Sequence, residues 1–244
     1  MIVFGGKQGL RGLITLTGSL VFIFLVLFPA ILQGDSPVTV SIAVSSLIII
    51  LGSYVTHGFN RTTSSAILGM LATILVTGGV LAYVAVHATR LRGFETEDAV
   101  YLNQNTKGAI DFVGLLLGGI LIGLLGVLYD AAIGQAVVVE ELRRAGPELT
   151  APQVFKRALR IGREHIGALV NILALAYVGA SLPLLLLFFT SAYPFSITLN
   201  NEIFATEIIR SMIGSIGLIL AVPITTLISV VVLFRFPFKT NERK

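Results

Sequence analysis

The sequence predicts an all-α, polytopic membrane protein of six transmembrane helices with both termini in the cytoplasm. Three observations predict it. Of the 244 residues, 55% are hydrophobic and only 12% are charged, about half of the roughly 25% that a water-soluble domain carries. The mean hydropathy is +0.92. The apolar residues gather in blocks of the length that crosses a bilayer, about 20 residues, and the charges fall between them. A chain with so little polar surface has to be solvated by lipid.

Six blocks qualify as spans: residues 13–32, 38–55, 66–86, 112–133, 166–189 and 212–234. Each is apolar on every helical face, which distinguishes a span from an amphipathic core helix. A membrane β-barrel would show alternating segments of about ten residues instead, and these blocks do not alternate. No repeat of 20 to 50 residues breaks the chain, so a single transmembrane domain over 1–244 is expected. No short apolar core followed by a small-residue cleavage site marks a secretory signal.

Orientation follows from the basic residues. With the N-terminus inside, the inner side receives Lys7, Arg11, Arg61, Arg143, Arg144, Lys156, Arg157, Arg160, Arg163, Arg235, Lys239, Arg243 and Lys244. The outer side receives only Arg90, Arg92, Lys107 and Arg210, so the split is thirteen to four. Under the positive-inside rule this places both ends in the cytoplasm of a multi-pass cell-membrane protein. The same placement explains the net charge of +4 and the pI near 9.6. The partner these charges imply is the lipid bilayer, not nucleic acid.

Two connecting segments stand out. Residues 90–107 form an outer loop with Glu95, Glu97 and Asp98. Residues 140–165 form the one sizeable inner segment, in which Gly146-Pro147 ends the helix leaving span four and Thr150 starts another. Gln153, three residues on, completes a capping box. Val154, Phe155, Ala158 and Leu159 then make an apolar stripe against Lys156, Arg157, Arg160 and Arg163. The pattern predicts an amphipathic helix on the inner leaflet, with a plain connector between spans four and five as the simpler role.

The most expensive residue is Asp130, inside an apolar run that continues to Val139 before Glu140-Glu141. A carboxylate at the bilayer centre costs about 2.5–3.5 kcal/mol, so such a residue faces a bundle interior or a wet cavity and marks a candidate site. The competing placement slides span four outward and leaves Asp130 at the headgroups. Asn171, Thr225 and Thr226 fall in the same inner slab, roughly 8–15 Å from its edge at 1.5 Å per residue. Together with Asp130 they form a candidate proton or cation pathway; alone, the three neutral residues are equally good interhelical hydrogen-bond glue, worth about 0.6 kcal/mol each. Glu140 and the Arg163-Glu164-His165 run at the inner surface are candidates for a cytoplasmic gate or docking surface, against simple headgroup anchoring. Pro183 and Pro223 interrupt spans and can free a carbonyl. Gly114/Gly118 and Gly119/Gly123 are small-xxx-small spacings suited to helix packing.

Several chemistries lack their residues. With no cysteine there is no disulfide, thiolate metal site or cysteine nucleophile. His57, His87 and His165 are isolated, so no zinc pair is expected, and neither a resident metal nor a cofactor. Asp111 and Asp130 share one helix about 28 Å apart, too far for an aspartyl-protease dyad. Gly5-Gly-Lys7 lacks the phosphate-loop spacing. An enzyme is not expected.

Three segments carry a resemblance: Gly126-Val-Leu-Tyr-Asp-Ala-Ala-Ile-Gly-Gln-Ala-Val-Val-Val-Glu-Glu-Leu142; Gly162-Arg-Glu-His-Ile with Val170-Asn171 and Ala176-Tyr-Val-Gly-Ala-Ser-Leu-Pro183; and Asn201-Glu-Ile with Glu207-Ile-Ile-Arg210, Gly214-Ser-Ile-Gly217 and Ala221-Val-Pro-Ile-Thr-Thr226. Together they resemble the YibE/F-like family of bacterial integral membrane proteins over nearly the whole chain. Relatives often carry another span before the segment resembling Gly5-Gly-Lys-Gln-Gly-Leu-Arg11, which leads to the expectation that this chain is one helix short. A fainter likeness runs to half-units of resistance-nodulation-division transporters and to the protein-export component SecD, through Asp130-Ala-Ala-Ile133, Glu140, Thr150-Ala-Pro152 and Leu182-Pro183. That likeness implies proton coupling through Asp130, although transporters of that type often have two aspartates and a large outer domain.

Two functions therefore compete. One is a permease or secondary transporter coupled to protons or another ion through Asp130. The other is a non-transporting membrane subunit that assembles with, or regulates, a partner membrane protein. Six short spans without a soluble domain suggest a half-unit, either a homo-oligomer or one paired with a related membrane subunit.

Overall fold

A computed structural model describes residues 2–94, 96–190 and 194–235. Glu95 of the outer loop and Lys239, Arg243 and Lys244 of the expected inner set lie outside the described residues. Among those described there are helices and turns but no strand. Six helices are long and apolar enough to cross a membrane: α1 (Gly6–Leu32), α2 (Pro37–His57), α3 (Arg61–Thr89), α5 (Phe112–Ala145), α6 (Ala151–Ala180) and α9 (Glu202–Arg235). Three short helices join them, α4 (Glu97–Asn105), α7 (Leu182–Phe189) and α8 (Phe195–Leu199).

Local sequence sets these boundaries. Pro37 occupies the first turn of α2, where its missing N–H costs nothing. Gly58, at φ 77, ends the helix in a conformation that side chains with a Cβ avoid. Asn60 then caps α3, its side chain accepting from the Thr63 N–H at 2.7 Å. Thr96 does the same for α4. At α6 the expected box is present, with the Thr150 N–H donating to Gln153 Oε1 at 2.9 Å. Two spans contain π-helical stretches. In α1, residues Ile23–Leu27 widen just before Pro29, whose ring would crowd the carbonyl one turn back. In α3 the stretch Leu75–Ala82 includes Gly78, against which Leu121 packs so closely that a Cβ would collide with it.

The helices run up and down, and the centre belongs to α5 and α9. Helix α9 packs on α3, α5 and α6; α5 also packs on α2 and α3; α1 leans on α2. Met70, Ile74, Leu121, Leu128, Ala132, Leu218 and Ala221 are fully buried along these seams. Glycines allow the closest approaches: Gly69 meets Thr225, and Gly217 meets Leu124 and Thr77. At 34 residues, α5 is about 51 Å long and overshoots a hydrocarbon core of about 30 Å. Its surplus carries Glu140 to Arg144 beyond the core at one end. Lys7, Arg11, Arg61 and Arg235 belong to the same end, called the basic end below.

Two expectations about span five are corrected. The helix expected to lie on the inner leaflet is the first half of α6, which runs unbroken from Ala151 to Ala180. Its apolar stripe does not face lipid. Val154 and Ala158 are completely buried against Val139, Val230 and Leu233, because α5 and α9 extend far enough to offer them protein. The span expected over residues 166–189 is also divided. Helix α6 stops at Ser181 and α7 begins at Leu182, with Pro183 in its first turn. Pro183 therefore starts a helix and does not kink one. Pro223 sits inside α9, which continues through it.

Candidate functional site

Helical periodicity decides where Asp130 points. Leu128, Ala131 and Ala132 turn into the core, so Asp130 emerges on another side of α5 together with Ile122, Leu125, Gly126 and Tyr129. That side faces α1 and α2 across a cavity of about 990 Å³. The space exists because α1 leans on α2, through Thr15 against Gly52 and Thr56 and through Leu27 and Ile31 against Val44 at its far end, without closing on the middle of α5. Toward the basic end Gln8, Gly9 and Gly12 of α1 stand off from α5, leaving space with Ile48 and Ile49 of α2 along one wall.

The polar groups of this cavity are few, and most are already engaged. Thr15 and Thr56 hydroxyls bond each other at 3.1 Å. The Ser19 hydroxyl donates to the Thr15 carbonyl at 2.8 Å. Tyr129 sits with its ring 5.9 Å from that of His57 and its hydroxyl 3.4 Å from the Gly52 carbonyl. Asp130 differs from these. Among the described residues its carboxylate has no hydrogen bond or ion pair, so it presents an unspent charge to an otherwise apolar, aromatic-edged space.

The family profile described as "YibE/F-like protein" matches residues 1–235. The chain belongs to the YibE/F-like family. No curated protein and no solved structure matches it. Membership and six spans of membrane-crossing length together make this YibE/F-like protein a multi-pass membrane protein.

The other expected pathway residues of this YibE/F-like protein do not join Asp130. Thr225 faces α3, where its buried hydroxyl lies against Gly69 and has no hydrogen-bond partner among the described residues. Thr226 faces α5 and α6, donating to the Val222 carbonyl at 2.6 Å and accepting from Gln135 Nε2 at 2.7 Å. Asn171 is exposed on α6, on the outward side with Arg160 and Arg163 and opposite the buried Val154, Ala158 and Gly162. One residue step is 100°, so sharing a depth in the membrane does not mean sharing a face. The four residues form no single site.

The inner-surface candidates also separate. Glu140 is structural in placement: it accepts from the Thr62 hydroxyl at 2.5 Å and from Arg144 at 2.6 Å. Arg163, Glu164 and His165 are exposed along α6. Of the glycines, Gly114 and Gly118 pack on Pro37 and Ser41 of α2. Gly119 meets nothing within 4 Å and Gly123 only the Tyr177 hydroxyl at 3.8 Å, so the second spacing points out of the bundle.

Sequence reasoning missed a buried polar seam near the basic end. Gln135 is 4% exposed and also donates to the Ala158 carbonyl at 2.9 Å. Ser65 and Ser229 share a hydrogen bond of 2.9 Å, and Arg143 reaches the Leu233 carbonyl. The signal for Gln135 was present, since it is the only amide in the run from Leu115 to Val139. At the opposite end Glu202 Oε1 accepts from the Arg92 and Gly93 backbone N–H groups at 2.5 and 3.0 Å, tying the loop before α4 to the start of α9. Among the described residues no three of His, Asp and Glu converge as metal ligands.

Proposed function

We propose that this protein is a permease or secondary transporter whose ion coupling runs through Asp130, along the α1–α2–α5 cavity. The observation that carries this reading is the Asp130 carboxylate, unpartnered among the described residues, on the wall of an open groove of about 990 Å³ between α1, α2 and α5, in the middle of a helix of membrane-crossing length. A scaffold has no use for such a charge, because desolvating it costs several kcal/mol without a compensating bond. A transporter does have a use for it: protonation or cation binding switches the cavity between charged and neutral forms. On this reading Gln8, His57 and Tyr129 replace Asn171, Thr225 and Thr226 as the polar lining. The protein sits in the cell membrane with the basic end inside, and two copies assemble through the outward Gly119/Gly123 side of α5.

The test is proton or cation flux into liposomes that contain purified wild type or Asp130→Asn. Flux in the wild type that the variant loses supports transport. Equal flux in both, or none with any imposed gradient, turns the reading to a non-transporting subunit that regulates a partner membrane protein. The observation favouring that second reading is the exposed basic side of α6, Lys156, Arg157, Arg160 and Arg163, which is presented at the bundle's edge.

A further inference from the structure

The chemistry of the α1–α2–α5 cavity is specific enough to name a class of ligand. We infer that it binds a lipophilic organic monocation, a hydrophobic body bearing one quaternary or protonated nitrogen or phosphonium centre, with Asp130 as counter-ion. The inference deepens the transport reading of this cavity and rests on it for its physiological sense, while the binding it asserts is testable alone.

Three features select this class. The first is charge. Asp130 contributes one negative charge, and among the described residues no lysine or arginine lines the cavity to neutralise it, so anions are repelled. The second is the state of the neutral polar groups. Thr15, Thr56 and Ser19 spend their hydroxyl protons on each other or on backbone. Their oxygens keep lone pairs, but a divalent metal cation draws on several carboxylate and carbonyl oxygens, about six ligands in all, and among the described residues this wall has one carboxylate and no three converging His, Asp or Glu side chains. The ligand must therefore bring its own low desolvation cost, as a charge spread over or shielded by apolar groups does. The third is size and lining. The volume of about 990 Å³ reaches the top of the range for small-molecule sites, about 300–1,000 Å³. Leu16, Leu20, Ile48, Ile122 and Leu125 furnish apolar contact, and Tyr129 adds an aromatic ring, which favours cations over neutral solutes.

The experiment uses the full chain in nanodiscs with tetraphenylphosphonium as the probe and tetraphenylborate, its near-isosteric anion, as the control. Wild type is expected to bind tetraphenylphosphonium saturably and to bind tetraphenylborate at least tenfold more weakly. Asp130→Asn should weaken the phosphonium at least tenfold and leave the borate unchanged or improved. Gly126→Leu keeps the carboxylate but fills the cavity, since a Cβ there meets nothing within 4 Å; it should also lose phosphonium binding, and its helix content and monodispersity check that it folds. Equal binding of the two ions, or phosphonium binding unaffected by both substitutions, overturns the inference and identifies partition into apolar surface. Asp130-dependent proton flux without phosphonium binding overturns the ligand class and leaves transport standing. Asp130-dependent phosphonium binding without flux under any gradient upholds the site and removes the transport reading.

Discussion

Gln135 of α5 donates to the hydroxyl of Thr226 of α9 at 2.7 Å, and the same amide nitrogen donates to the Ala158 carbonyl of α6 at 2.9 Å. One buried side chain thus joins the three helices that meet at the basic end. Gly162 permits it: a Cβ there would lie 2.7 Å from Gln135 Oε1 and 2.5 Å from Val222. Gln135→Leu should lower unfolding stability in detergent by about 1–2 kcal/mol, the sum expected of two membrane-buried bonds. Thr226→Val should cost less, and the double variant should fall short of the sum. Additive losses would show that the pair is not coupled.

Neighbouring glycines should respond in opposite ways. A Cβ on Gly118 collides with the Ser41 hydroxyl and comes within 3.3 Å of the Pro37 carbonyl, whereas one on Gly119 meets nothing. Gly118→Leu should destabilise the bundle by about 1–3 kcal/mol through overpacking, with Gly119→Leu near neutral for the fold. If two copies meet through the Gly119 side, Gly119→Leu will shift the native mass toward monomer. An unchanged oligomer, or a strict monomer in wild type, removes that interface.

Two adjacent glutamates offer a second contrast. Glu140, with its side chain 16% exposed, holds Thr62 and Arg144, while Glu141 is 62% exposed and reaches Arg144 only at 3.4 Å. Glu140→Ala should lose about 1–2 kcal/mol, since hydrogen bonds to charged groups are the stronger kind. Glu141→Ala should change stability by less than about 0.5 kcal/mol, as exposed ion pairs do. Thermal unfolding of the two variants side by side decides it.

Topology is directly testable because the chain has no cysteine. Glu97→Cys should react with a membrane-impermeant maleimide added outside whole cells, and Lys156→Cys only after the membrane is opened. Labelling of position 97 from the cytoplasmic side reverses the orientation expected from the basic residues.

The spans were legible because lipid imposes a length and a composition that no interior packing can disguise. Five of the six expected blocks lie inside single long helices, the first and third of them with π-helical stretches. The fifth was misjudged at Ser181: Pro183 marks the place, but Pro223 stands in a similar apolar run inside a helix that continues, so a proline alone does not tell a break from a bend. The candidate site was half legible. Asp130 announced itself by its cost, but its partners depended on the rotation of each helix about its own axis, and uniformly apolar helices give no moment from which to read that rotation. A depth estimate for Asn171 carries no rotation, and the residue lies on the exposed side of α6, away from Asp130. Gln135 was overlooked beside the louder charge five residues earlier.

The unbroken course of α6 has a mechanical consequence. Its 30 residues make a rod of about 45 Å, pinched at Gly162 between Gln135 and Val222. The half beyond the pinch is bordered by exposed Ile172, Leu175 and Val178. Val154 and Ala158 seat it on α5 and α9 at one end, and Leu173 lies against Gly214 of α9 toward the other. A stiff rod seated at both ends shifts as one body, so spin labels at Lys156 and Val178 should report displacements of the same sense.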